Sequence, residues 1–111
     1  MERNYKLFIQ DIIKSIELIQ RYMANVSEDD FYNDPKLQDA VIRRLEVIGE
    51  AVIRIPRAVK QKNPSIGWDK IVDYRNFIVH SYFDASLKRI WQVAKLELED
   101  LKNKIHNMIL L

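Results

Sequence analysis

Arg75, Asn76, His80 and Tyr82 fall within eight residues, wrapped around the apolar triplet Phe77-Ile78-Val79. Arginine supplies a permanent cation with a planar donor fork that fits phosphate. Histidine supplies the one side chain whose unperturbed pKa lies near neutrality. A base, an acid and a phosphate-holding cation are sufficient parts for cleaving a phosphodiester without a metal.

The elements that must hold these residues are helices. The chain has only two glycines and three prolines, and its apolar residues recur at helical spacing. Tyr5, Ile9, Ile12, Ile16, Ile19 and Met23 form one stripe and predict a helix over about residues 3–25. Ser27 is placed to cap a short acidic turn. Asp34 as N-cap and Pro35 at the first helical position predict a second long helix. Its stripe is Leu37, Val41, Leu45, Ile48, Val52, Ile55 and Val59. Pro56 lies inside that stripe and predicts a bend, with helix resuming to about residue 62 before Asn63-Pro64 stops it. Ser65-Ile66-Gly67 reads as a connector. A shorter helix over residues 68–81 carries the motif. Asp84 reads as the cap of a last helix with the stripe Leu87, Trp91, Ala94, Leu98, Leu101, Ile105 and Met108. The expected fold is all-α: an up-and-down antiparallel bundle of four main helices, a single domain over residues 1–111.

At about 100° per residue, Asn76 and His80 share a helix face, and Asp73 joins the same stripe. Arg75 and Tyr82 lie on a neighbouring stripe roughly 140° from His80. Tyr74, Ile78 and Ser81, with Phe77 beside them, are the expected core contact. Arg75 and His80 therefore converge only if the long Arg side chain wraps, the helix distorts, or a second copy contributes its own pair. The plain alternatives are that Arg75 pairs with Asp73 or a carboxylate of a neighbouring helix, and that Tyr82 is a helix-end aromatic. His106 has no supporting partners and reads as a surface or interface residue.

The remaining composition narrows the field. Hydrophobic residues make up 48% of the 111 residues, a globular proportion. No cysteine occurs, so disulfides and thiolate zinc sites are excluded, which fits a cytoplasmic location. The N-terminal residues show no signal-peptide core and no run suits a membrane span. The two histidines are far apart and no HExxH-type pair surrounds them, so no metal and no cofactor is expected. A glycine-rich phosphate loop is also missing, so this chain is not itself an ATP-using transferase. Net charge is only +2. Arg43, Arg44, Arg54, Arg57, Lys60 and Lys62 nevertheless follow one another against only Glu46 and Glu50, either as a solvated helix face or as a nucleic-acid surface.

The run Arg75, Asn76, Phe77-Ile78-Val79, His80, then Ser81 and Tyr82, resembles the signature of HepT-like toxins of the HEPN superfamily. The stretch Gln38-Asp39-Ala40-Val41-Ile42-Arg43-Arg44-Leu45-Glu46-Val47-Ile48-Gly49-Glu50-Ala51 is similar to that family's second long helix, and Trp68 falls where the family often has a tryptophan. The resemblance covers nearly the whole chain. It implies a helical homodimer whose two motifs line one cleft, and a toxin that cleaves RNA without metal. Arg75 and His80 would be catalytic, with Asn76 and Asp73 in support. It further implies a minimal nucleotidyltransferase antitoxin that transfers AMP to Tyr82 and so silences the toxin. The residues alone leave open two other readings: a non-catalytic subunit that binds a nucleotide or presents Tyr82 to the transferase, and a structural dimer whose motif serves the interface.

Overall fold

The computed structural model describes residues 4–80 and 84–108, with the side chains of 78–80 and 84–86 outside the description. Helix α1 spans Tyr5–Tyr22, and the Asn4 side chain caps it by accepting from Lys6 N at 2.9 Å. Ile12, Ile16, Ile19 and Met23 are buried, as their spacing predicts. Asn25 takes a left-handed φ of 60° and turns the chain after α1, a conformation Asn tolerates better than most residues. Helix α2 (Glu28–Tyr32) opens with a capping box: Asp30 N donates to Ser27 Oγ at 3.1 Å, and Ser27 N donates to Asp30 Oδ2 at 3.4 Å. Phe31 of α2 is fully buried and pins this one-turn helix to the core.

Helix α3 spans Pro35–Ile53, with Leu37 N donating to Asp34 Oδ1 at 3.1 Å. The predicted bend at Pro56 is a break instead. Arg54 N and Ile55 N reach back only three residues, to Ala51 O and Val52 O, and close α3. Pro56 has no N–H to continue the ladder and becomes the N-cap of a separate helix, α4 (Arg57–Lys62). Its carbonyl accepts from both Val59 N and Lys60 N at 3.1 Å. Asn63 then ends α4, as expected, with its side-chain amide donating to Val59 O at 2.8 Å.

Helix α5 (Trp68–His80) follows, and the last stretch comprises α6 (Asp84–Gln92), a π-helical turn Val93–Glu97 and α7 (Leu98–His106). The even stripe of this last stretch predicts uninterrupted α-helix. The structure widens it by one π-turn, as happens when tertiary contacts outweigh ideal helical hydrogen bonding. Lys95 in that turn donates to Met23 O at 2.8 Å, a carbonyl just past the end of α1 that also accepts from Val26 N at 3.1 Å. Leu96 is turned outward, 72% exposed.

The core is one continuous cluster drawn from every helix. Helix α3 packs against both α1 and α5, and α1 also meets the π-turn and α7. Directions follow from pair contacts. Arg54, just past the end of α3, sits 5.9 Å over the ring of Phe8 near the start of α1, so α1 and α3 run antiparallel. Gln20 of α1 donates to Glu99 at 2.6 Å while Met23 meets Lys95, so α1 and the last stretch are antiparallel too. The four main helices thus form the up-and-down all-α bundle expected, with no strand among the described residues. Burying an apolar stripe of each helix against its neighbours is the main source of stability in such a bundle.

Candidate functional site

Helix α5 carries the motif, and two tethers fix it. At its start the buried Trp68 indole donates to Asn63 O at 3.1 Å and Lys60 O at 3.3 Å, tying α5 to the end of α4. Ile71 is buried, and Tyr74 and Phe77 are half-buried, so the predicted core face is correct where it is described. Ile78 and Ser81, also assigned to that face, lie outside the described side chains.

The second tether is an ionic cluster that the sequence pattern did not reveal. The Tyr74 hydroxyl donates to Glu97 Oε1. Arg89 pairs with Glu97 Oε2 at 2.6 Å, and Lys70 with Oε1 at 3.1 Å. The Arg89 guanidinium also stacks 4.8 Å from the Tyr74 ring centroid. Burial pushes the Glu97 carboxyl up, but the hydrogen bonds from Tyr74, Lys70 and Arg89 outweigh it and hold the group below the usual glutamate range. Burial, then the bond to Glu97, pushes the Tyr74 phenol up, so it remains a donor. Glu97 closes the π-turn, and so the last helix grips α5 one residue before Arg75.

Arg75 itself is half-buried. Its stem lies on Gly49 of α3: a Cβ at Gly49 would sit 2.4 Å from Arg75 Cβ and 2.7 Å from Cγ. No described glycine has positive φ, so Gly49 is there for space and not for backbone freedom. A lone glycine inside a helical pattern was the available signal for this close approach.

This seat buries Arg75 Nε without a hydrogen-bond partner. Nη1 donates to Asn76 Oδ1 at 3.2 Å. No carboxylate among the described residues lies within ion-pair distance of Arg75. The plain expectation of an Arg75–Asp73 pair is therefore not met, and Asp73 stands exposed.

Asn76 is exposed and its carbonyl oxygen is turned to Arg75. That bond draws the guanidinium across toward the stripe of Asp73, Asn76 and His80, which unbroken helix from Trp68 to His80 keeps aligned. The backbone of His80 ends α5, while its imidazole lies outside the described side chains. Tyr82, the expected AMP acceptor, lies outside the described residues. His106 is exposed, as expected. Among the described residues no group of His, Asp and Glu could hold a metal ion, and no helix is long and apolar enough to cross a membrane.

Chemically, a guanidinium that no described carboxylate neutralises, beside an amide, makes an anion seat. It offers a forked donor to phosphate on the same helix as a histidine five residues on.

Known proteins are similar to this chain over most of its length. The family model described as Ribonuclease HepT-like matches residues 12–108. A "Probable ribonuclease HepT" of Thermococcus cleftensis is 36% identical over 108 residues, covering 97% of this chain and 98% of that protein. A "Gamma-glutamylcyclotransferase and putative RNase" of Methanocaldococcus jannaschii is 38% identical over 105 residues, 95% of this chain. The chain spans only about half of that longer relative, 47% of its length. No solved structure gives a significant match. With the match running through nearly all of the bundle and the whole of α5, the chain belongs to the HepT-like ribonuclease family.

Proposed function

We propose that this chain is a metal-independent endoribonuclease, the toxin of a toxin–antitoxin pair of type II or type VII, acting in the cytoplasm as a homodimer. The observation that supports it most is the guanidinium of Arg75, which no carboxylate among the described residues neutralises, seated on Gly49 and bonded to Asn76 on the stripe that ends in His80. A strand of RNA would place its scissile phosphate on that guanidinium. A histidine takes the proton from the 2′-OH, whose oxygen attacks phosphorus. The P–O5′ bond breaks, and the departing 5′ oxygen takes a proton from an acid. The products are a 2′,3′-cyclic phosphate and a 5′-hydroxyl. Arg75 stabilises the charge that builds on the phosphorane oxygens. Asn76 holds the guanidinium in place. Two copies of His80, one from each protomer, would divide the base and acid roles.

The silencing step falls on Tyr82. The partner, a minimal nucleotidyltransferase, would transfer AMP from ATP to its phenolic oxygen with loss of pyrophosphate. The added phosphate would be an anion seven residues on from Arg75 in sequence, and would compete for the phosphate seat.

Expression in a host tests this reading. Growth arrest that His80→Ala relieves, and that co-expressed nucleotidyltransferase relieves only while Tyr82 is intact, is the expected result. Equal growth with and without His80, alongside an unmodified intact mass, would favour a non-catalytic subunit.

A further inference from the structure

A second cationic site opens along the same seam. Between α4 and the first turn of α5 lies a groove of about 460 Å³, bordered by Arg57, Lys60, Gln61, Asp69 and Lys70. Three cations face one carboxylate there. Of these, Lys70 is already paired with Glu97 outside the groove. Arg57 and Lys60 have no ion-pair partner among the described residues. Lys60 is moreover half-buried, and that burial pulls its pKa down while Asp69 only partly offsets it. A partly desolvated ammonium that Asp69 compensates only from beyond ion-pair distance carries a cost that an anion in the groove would relieve.

The groove lies on the same helix as the motif. Trp68 and Arg75 are seven residues apart, so they share one stripe of α5. Trp68 meets the end of α4 and Arg75 meets Gly49 of α3. The groove and the Arg75 seat thus follow each other along the side of α5 that faces α3 and α4. Lys70 lies about 7.5 Å before Arg75 along the helix axis, and about 15 Å before His80. The Trp68 ring cannot act as a stacking platform for a base, because it is only 8% exposed and its N–H is committed to two carbonyls. What remains suits a sugar–phosphate backbone and does not read bases.

We infer that the groove bordered by Arg57 and Lys60 is a sequence-independent phosphate subsite for single-stranded RNA flanking the bond cut at Arg75 and His80. The inference rests on the ribonuclease reading for its ligand, but its test does not depend on cleavage. The probe is a fluorescent 2′-O-methyl oligoribonucleotide, which cannot be cut because its 2′ oxygen carries no proton. Its affinity for the full chain is measured by anisotropy over a range of salt concentrations. Arg57→Gln/Lys60→Gln removes both charges and leaves the Lys60 carbonyl that holds Trp68. Arg21→Gln/Lys36→Gln removes two exposed cations near the opposite ends of α1 and α3 and serves as the charge-matched control.

Two lost phosphate contacts should lower the slope of log K against log salt by roughly 1.4, with an affinity loss of about tenfold or more at low salt. The control should keep the wild-type slope. Matched thermal melts establish that both variants are folded. An unchanged slope in the groove variant, or an equal drop in the control, overturns the subsite. So does unchanged RNA binding with weakened binding of the nucleotidyltransferase, which would make the groove a protein-docking surface. If wild type binds the probe but cuts no RNA, the catalytic reading fails, and the slope still decides the groove.

Discussion

Arg75 carries a permanent charge that no carboxylate among the described residues neutralises, and one of its nitrogens is buried without a partner. Such an arrangement costs stability, which is reasonable where an incoming phosphate neutralises the charge through the exposed end of the guanidinium. Arg75→Lys is the informative substitution. It retains the charge and most of the stem against Gly49 but loses the planar fork. The expected outcome is a fall in kcat of about 10²-fold with little change in Tm. An equal loss of both activity and Tm would assign Arg75 to structure instead. The residue types of this site were legible in the sequence, because arginine, amide and histidine advertise their chemistry wherever they stand. The partner of Asn76 was not. Its helical phase put it on the face of His80, whereas its carbonyl accepts from Arg75, a contact between neighbouring residues that helical phase alone does not anticipate.

The helices differ in how far local rules determine them. Starts were legible, since an N-cap is a contact between a side chain and backbone two or three residues on, as at Ser27 and Asp34. The outcome at Pro56 was legible only in part. A missing N–H guarantees a disturbance, but whether the chain bends or breaks depends on what Ile55 and Val59 bury on either side. The close approach of α3 and α5 at Gly49 and the π-turn at Glu97 are tertiary facts that periodicity does not carry. Each yields a prediction. Gly49→Ala gains about 1 kcal/mol of helix propensity. It also forces apart two helices whose contact is at Arg75 Cβ, not at a flexible tip, and overpacking of that kind costs about 1–3 kcal/mol. A lower Tm and a larger loss of RNA cleavage than that of Arg75→Lys are expected, read by thermal melt and initial rates. Glu97→Gln should cost about 1 kcal/mol at neutral pH, since its pairs are partly exposed. The pH dependence has a definite sign. The Glu97 pKa is depressed in the fold, so its contribution is present above the unfolded glutamate value of about 4.3. It is lost as pH falls through the lower folded value. Acid melts of wild type should therefore drop more steeply below about pH 4.3 than those of Glu97→Gln. Parallel curves would show that the cluster is not ionic in character.

For the molecule as a whole, the proposed assembly makes the activity a property of two chains. If base and acid come from His80 of different protomers, a mixed dimer with one His80→Ala chain is inactive. Titrating His80→Ala protein into wild type, refolded together, should then lower the rate as the square of the wild-type fraction. A linear decline would mean that each chain cuts alone. Sedimentation velocity on the same mixtures shows whether dimers are present to be mixed. Beneath these questions lies the chemistry itself, and the first experiment addresses it: purified protein incubated with total cellular RNA in EDTA, beside His80→Ala. Cleavage by wild type alone, leaving cyclic phosphate ends, is the predicted result. Cleavage that EDTA abolishes, or that His80→Ala retains at the wild-type rate, would contradict a metal-independent ribonuclease centred on Arg75 and His80.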